Sequence, residues 1–125
     1  MTLVLDAGAL IAYERGDPFV RRAVLEARRA QVLPKTHGGV VGQVWRSRSR
    51  QVALGTTLRG VDVLPLDRAL GQAAGLLLAA TGMSDVIDAA LVSLAEDDDW
   101  ILTSDPNDIA RLAQAAGLFV EVIPV

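Results

Sequence analysis

The stretch Thr2-Leu-Val-Leu-Asp6 decides the fold class of this chain of 125 residues. Its consecutive apolar residues are typical of a short strand buried on both faces, and a carboxylate follows directly. Ala7–Glu14 is predicted to be a short helix that begins where this strand ends. A buried strand followed at once by a helix indicates the βα unit of a parallel sheet.

The same alternation continues to the end of the chain. Further strands are predicted at Gln31–Pro34, Val61–Pro65, Trp100–Thr103 and Phe119–Ile123. Further helices are predicted at Phe19–Ala30, Gly39–Arg48, Ser49–Leu58, Asp67–Thr81, Ser84–Glu96 and Pro106–Ala116. This pattern predicts one domain over residues 1–125, an α/β protein with a three-layer α/β/α sandwich around a parallel sheet of four or five strands.

Composition excludes several classes of site. The chain has no cysteine, so disulfides and thiolate metal sites are excluded. His37 is its one histidine, which excludes a Ser–His–Asp triad and a multi-histidine zinc site. Followed by two glycines, His37 is predicted to be a surface residue. Apolar runs are far shorter than the roughly 20 residues that span a membrane, and a signal peptide is missing, so we expect a soluble cytoplasmic protein.

Charge is distributed unevenly along the chain. Between Arg15 and Arg59 there are ten basic residues and two acidic ones, whereas from Gly60 onward there are two basic and eleven acidic residues. Such a division is expected of a basic surface that faces a polyanion beside an acidic metal-binding end. Solvated helix faces of opposite sign would give the same counts.

Two aspartates follow strands directly. Asp6 comes after the first strand and Asp105 after the fourth. Sites in open parallel sheets form outside the carboxyl ends of the strands, near the switch in strand order, so both aspartates are candidates for one site. Each also has a structural interpretation, because an aspartate can cap the helix that follows it, and Asp105-Pro106 with Asp108 is a favourable helix start.

Asp88 lies inside a predicted helix, where Leu91 and Val92 share its face. An unpaired charge beside a buried stripe is costly, and Asp85 adds like-charge repulsion. A hard cation would offset that repulsion. The alternatives are an ion pair between Asp88 and an arginine of another helix, and a helix-dipole role for Asp85. The acidic run Glu96–Asp99 is predicted to be a solvated turn.

At this point the chain resembles the PIN-domain family, and within it the VapC-type ribonuclease toxins. The resemblance rests on Leu5-Asp-Ala-Gly-Ala-Leu-Ile11, on Asp88-Ala-Ala90 and on Ile101-Leu-Thr-Ser-Asp-Pro-Asn-Asp108. It implies Mg²⁺- or Mn²⁺-dependent cleavage of RNA, with Asp6, Asp88 and Asp105 as metal ligands and catalytic residues and with Asp85 and Asp108 as possible accessories. It also implies a small cognate antitoxin as partner.

One family position departs from the pattern. Where the family typically has a glutamate, this chain has Gln43, which the resemblance makes a further candidate catalytic residue. Glutamine keeps an oxygen but loses the charge. Glu14 is the candidate for the missing carboxylate, and Gly8 replaces a serine or threonine common in relatives. The alternative function is therefore a PIN-fold RNA- or protein-binding module of weak or no activity. A phospho-receiver domain is disfavoured, because the single lysine, Lys35, is not placed where that fold needs it.

Two surfaces complete the predictions. Arg46, Arg48 and Arg50 follow Gln43 and are candidates for binding RNA phosphates, unless they are a solvated helix end that complements the dipole. The helix over Ala69–Ala80 carries small residues that favour close packing against a second copy, so a homodimer is expected.

Overall fold

Five short strands form one parallel sheet in the order β3-β2-β1-β4-β5. The computed structural model describes residues 1–125. The strands are β1 (Leu3–Leu5), β2 (Lys35–His37), β3 (Asp62–Leu64), β4 (Trp100–Thr103) and β5 (Glu121–Pro124). Every neighbouring pair is parallel, which confirms the predicted sheet type.

Seven α-helices connect the strands. They are α1 (Ala7–Glu14), α2 (Pro18–Arg29), α3 (Gly38–Val44), α4 (Gln51–Leu58), α5 (Arg68–Thr81), α6 (Val86–Leu94) and α7 (Pro106–Ala115), with a 3₁₀ turn at Arg48–Arg50 before α4. Local chemistry explains several boundaries. The Asp67 side chain accepts a hydrogen bond from the Leu70 N–H and caps α5 as predicted, and Gly82, at φ +70°, ends that helix.

The strand order places the helices in two layers. The chain moves outward from β1 through β2 to β3, crosses back to β4 and then moves outward on the other side to β5. Since parallel crossovers are right-handed, α1–α4 cover one face of the sheet and α5–α7 cover the other. The predicted α/β/α sandwich is confirmed, and its switch in strand order lies between β1 and β4.

The core is one cluster of 24 buried hydrophobic residues centred on β1 and β4. Leu3, Val4 and Leu5 are fully or almost fully buried, as are Ile101 and Leu102. A strand covered by helices on both faces is expected to be continuously apolar. The carboxyl ends of these two central strands are therefore held at fixed positions by packing from both sides.

The prediction of the second strand at Gln31–Pro34 was wrong. Gln31 adopts φ +59°, and the Val32 N–H reaches back to the Ala27 carbonyl, so these residues close α2 instead. The strand begins after Pro34, at Lys35. The helix predicted over Gly39–Arg48 is also shorter, because the chain leaves helical geometry at Trp45.

The prediction that Glu96–Asp99 is only a solvated turn was wrong for Asp99. This carboxylate is 3% exposed and accepts hydrogen bonds from the backbone N–H groups of Thr2 (2.9 Å) and Glu96 (2.8 Å). Lys35 pairs with it at 3.3 Å. Asp99 therefore joins the beginnings of β1, β2 and β4, at the sheet edge opposite to Asp6.

The helix expected to form a dimer contact presents part of its small-residue face to solvent. In α5, Ala74 is buried, while Ala73 and Gly75 are exposed and Leu76 is 75% exposed. The homodimer stays a prediction. No single helix has the length and apolarity to cross a membrane; α5 and α6 meet such a test only as a pair bent by 111°.

Candidate metal centre

Asp6 holds the end of β1 to two other elements. Its side chain is 3% exposed and caps α1, with Oδ1 accepting the Ala9 N–H at 2.8 Å. Oδ2 accepts the Ser104 N–H at 2.9 Å, which ties the end of β1 to the end of β4. The helix-cap interpretation of Asp6 is therefore correct. Each carboxylate oxygen keeps a second lone pair, so capping leaves Asp6 able to bind a cation.

Asp88 is the most perturbed acid in the structure. It lies in the first turn of α6 and is 7% exposed. Burial raises the pKa of its carboxyl to about 7, and the negative charges of Asp85, Asp105, Asp6 and Asp108 contribute in that order. These five residues are called the carboxylate cluster below.

The alternative of an ion pair for Asp88 is wrong. The structure contains three ion pairs, which join Glu26, Asp99 and Glu14 to basic residues. None of them includes a member of the carboxylate cluster. The negative charge at this edge of the sheet is thus left without a basic side chain to compensate it.

The remaining aspartates of the carboxylate cluster differ in whether they cap a helix. Asp85 caps α6 by accepting the N–H groups of Ile87 and Asp88, both at 3.0 Å, so its helix-start interpretation is correct. Asp105 stands at the cap position of α7 but makes no capping hydrogen bond. Its own N–H donates to the Thr103 hydroxyl at 2.8 Å. The Asp105 carboxylate is exposed beside Asp108, at a cavity of about 250 Å³.

The cluster fits a hard divalent cation in donor chemistry and charge. Its donors are carboxylate oxygens, which Mg²⁺ and Mn²⁺ prefer, and a cation would relieve the repulsion that raises the pKa of Asp88. No three acidic or histidine side chains are arranged closely enough in the structure to hold one ion. A single ion held by three of these acids would therefore require exposed carboxylates such as Asp105 to change rotamer.

His37 is buried, so the prediction of a surface residue was wrong. It is fully buried at the end of β2. Nδ1 accepts the Gly39 N–H at 3.1 Å and caps α3, which leaves Nε2 to donate to the Ile87 carbonyl at 2.9 Å. Burial lowers the pKa of His37 and favours the neutral ring. No local pattern indicated this role, because Ile87 lies fifty positions away.

Gln43 is exposed on α3, one turn beyond Gly39. A Cβ at Gly39 would come within 2.5 Å of Ile87 Cδ1, so this face of α3 packs against the first turn of α6, which carries Asp88. Glu14, the candidate for the missing carboxylate, pairs instead with Arg50 at 2.5 Å. Glu14 is not among the acids whose charge acts on Asp88.

Of the three predicted RNA-binding arginines, only two are free. Arg46 and Arg48 are exposed and make no ion pair, whereas the half-buried Arg50 pairs with Glu14. All three follow the end of α3, in the turn that leads to α4. The phosphate-binding role of this segment stays a prediction.

Ser104 is a member of the site that sequence reasoning did not assign. A Cβ at Gly8 would lie 2.5 Å from the Ser104 hydroxyl and 2.7 Å from its Cβ. The serine thus fills the space that a side chain at position 8 would take, a position 3.5 Å from Asp6 Oδ1. The Ser104 hydroxyl, at the end of β4, therefore supplies the polar group that Gly8 lacks.

These features define the class of the protein as an α/β/α sandwich with a PIN-type parallel sheet and acidic residues at its switch point. A chain from the crystal structure of VapBC2 from Rickettsia felis, bound to a DNA fragment from their promoter, has the same fold. The two are similar at a TM-score of 0.71 and 14% identity, over 98% of each chain. No protein-family model and no curated protein matches the sequence.

Proposed function

We propose that this chain is a divalent-metal-dependent endoribonuclease and the toxin of a toxin–antitoxin pair. The single observation that carries the proposal is the carboxylate cluster, in which buried Asp88 shares an uncompensated negative field with four further aspartates at the sheet's switch point. The fold it shares with a chain of VapBC2 supports the toxin assignment.

Asp6, Asp88 and Asp105 would hold Mg²⁺ or Mn²⁺, with Asp108 and Asp85 as accessory acids. The bound metal supplies Lewis-acid stabilisation of the phosphate and a water of lowered pKa. Asp6 is fixed by its bonds to Ala9 and Ser104, so it orients the cluster. Burial and neighbouring charge raise the pKa of Asp88 to about 7, so its carboxyl would have to lose its proton to act as a ligand.

The proposal is tested by incubating the purified protein with a mixed panel of RNAs in Mg²⁺, in Mn²⁺ and in EDTA. We expect cleavage that requires metal and falls at least about a hundredfold in Asp88→Asn, because that variant loses a charged ligand. Cleavage in EDTA, or equal cleavage by Asp88→Asn, would contradict it. Metal binding without cleavage would support the alternative of an RNA- or protein-binding module weakened by Gln43.

The antitoxin partner follows from the same charge. An acidic cluster without a basic partner is a receptor for a guanidinium group, so the antitoxin would inhibit by placing an arginine among these aspartates. Saturating Mn²⁺ should then weaken binding of the antitoxin's arginine-bearing segment, measured by calorimetry. Binding that is unaffected by the metal would refute this mode of inhibition.

A further inference from the structure

A second polar cavity, of about 490 Å³, lies away from the carboxylate cluster between the C-terminal end of α1, α2 and α4. Its lining is almost entirely polar and includes Tyr13, Arg15, Arg21, Arg28, Thr56 and Thr57. We call these six residues the arginine pocket. Phenol, guanidinium and threonine groups are all hydrogen-bond donors, so the lining is suited to an anion.

The arginine pocket has a net positive charge. None of its three arginines belongs to an ion pair of the structure. Glu14 is the one acid in the wall of the cavity, and Arg50 neutralises it at 2.5 Å. The Glu14–Arg50 pair thus removes the acid that would otherwise compensate the pocket's charge.

Gly60 allows the Arg28 guanidinium to lie close to the backbone. A Cβ at Gly60 would overlap Arg28 Nη2, whereas a Cβ at Gly16 would be in ordinary van der Waals contact with Arg21 Nη1, at 3.5 Å. Arg28 therefore occupies space that only a glycine at position 60 leaves open.

We propose that Arg15, Arg21 and Arg28 bind backbone phosphates of the RNA strand whose scissile phosphate lies at the carboxylate cluster. Guanidinium groups bind phosphate oxygens in pairs of parallel hydrogen bonds. Asp6 and Tyr13 are connected by α1, whose rise of 1.5 Å per residue separates them by about 10 Å. That is about three nucleotides of a stacked strand at roughly 3.4 Å each. This inference rests on the proposed function for its choice of ligand, since the strand engages both sites.

The test measures binding of a short fluorescein-labelled oligouridylate by anisotropy, in EDTA. Arg21→Gln and Arg28→Gln are expected to weaken binding at least about fivefold and to reduce the salt slope by about 0.7 for each phosphate that is no longer neutralised. Arg29→Gln is the matched control. It removes the same charge from the same helix, but Arg29 pairs with Glu26 and does not line the cavity, so the affinity of this variant for RNA should stay within about twofold of the parent.

Gly60→Ala tests whether the position of the Arg28 guanidinium matters, because it leaves the charge of the protein unchanged. Its Cβ would displace the Arg28 guanidinium, a flexible side-chain end, while the net charge stays unchanged. We expect it to weaken RNA binding about as much as Arg28→Gln, with an unchanged melting temperature as the folding control. Equal losses in Arg21→Gln, Arg28→Gln and Arg29→Gln, or normal binding by a folded Gly60→Ala, would overturn the proposal.

Different results would contradict the proposed RNA-binding role of the arginine pocket and the proposed nuclease activity. Asp88→Asn should lose cleavage yet bind the oligouridylate normally in EDTA. If the parent binds RNA through these arginines but never cleaves it, the RNA-binding role of the arginine pocket is supported and the proposed nuclease activity is contradicted. If the parent cleaves RNA while the arginine variants bind it normally, the nuclease activity is supported and the RNA-binding role of the arginine pocket is contradicted. Binding of polyglutamate but not of oligouridylate would mean an acidic protein ligand and would also overturn the proposal.

Discussion

The Nε2–H of His37, at the end of β2, donates a hydrogen bond of 2.9 Å to the Ile87 carbonyl in the first turn of α6. The other nitrogen of the ring caps α3 through Gly39. One buried imidazole therefore holds together the helix that carries Asp88 and the helix that carries Gln43. Its neutral form, favoured by burial, is the form that makes both bonds.

Replacing His37 should cost stability in two separable parts. His37→Ala removes a buried ring and both hydrogen bonds, and we expect a loss of about 2–4 kcal/mol in the free energy of unfolding by urea. His37→Asn can still cap α3, so it should recover roughly 1 kcal/mol of that loss. A loss below about 1 kcal/mol for His37→Ala would show that the ring does not hold α3 to α6.

Asp88→Asn should stabilise the metal-free protein, by an amount that depends on pH. The pKa of Asp88 is about 7 in the fold against an ordinary value of 3.8, so ionising Asp88 costs stability as the pH rises from 3.8 through 7. The gain from Asp88→Asn should be small near pH 4 and reach about 4 kcal/mol above pH 7, because each pKa unit corresponds to roughly 1.4 kcal/mol.

Urea unfolding of both proteins from pH 4 to pH 8 measures this difference. The effect of His37 is common to both and cancels in the comparison. Asp62→Asn, at an exposed position of β3, is the control for the loss of one carboxylate. If the stability gained by Asp88→Asn does not change with pH, burial and neighbouring charge do not raise the pKa of Asp88.

Gln43→Glu should raise metal affinity about tenfold, because hard cations prefer charged oxygen ligands. Glu14→Gln should leave metal affinity within about twofold of the parent, since Arg50 already holds Glu14. Mn²⁺ titrations of the parent, both single variants and the double variant complete the cycle. If Gln43→Glu has no effect, the assignment of that face of α3 to the site is wrong. If Glu14→Gln weakens binding, Glu14 does supply the missing carboxylate.

Local pattern was sufficient to predict most of the fold. The apolar run of β4 and the capped helices α1 and α5 were predicted within a residue or so, because the signals for a buried strand and for a helix start lie within a few positions. The shared sheet edge of Asp6 and Asp105 followed from their positions directly after two predicted parallel strands. The second strand was misplaced because Gln31–Pro34 has a composition compatible with a strand, yet the positive φ of Gln31 closes α2 there.

The missed interactions join residues far apart in the chain. His37 to Ile87 spans fifty positions, Glu14 to Arg50 spans thirty-six and Thr2 to Asp99 spans ninety-seven. A local pattern carries no signal of such contacts. For this reason the candidate carboxylates could be identified from sequence, whereas the ring that positions α6 and the arginine that pairs with Glu14 could not.

The most direct test of the metal centre is calorimetric titration of the protein with Mn²⁺ at pH 7 in two buffers of different ionisation enthalpy. Because the pKa of Asp88 is about 7, binding to Asp88 should release about half a proton per ion. We predict that Asp88→Asn binds Mn²⁺ at least about tenfold more weakly and releases no proton. A parent protein that binds no Mn²⁺, or an Asp88→Asn variant that binds it with the same affinity and proton release, would contradict the account.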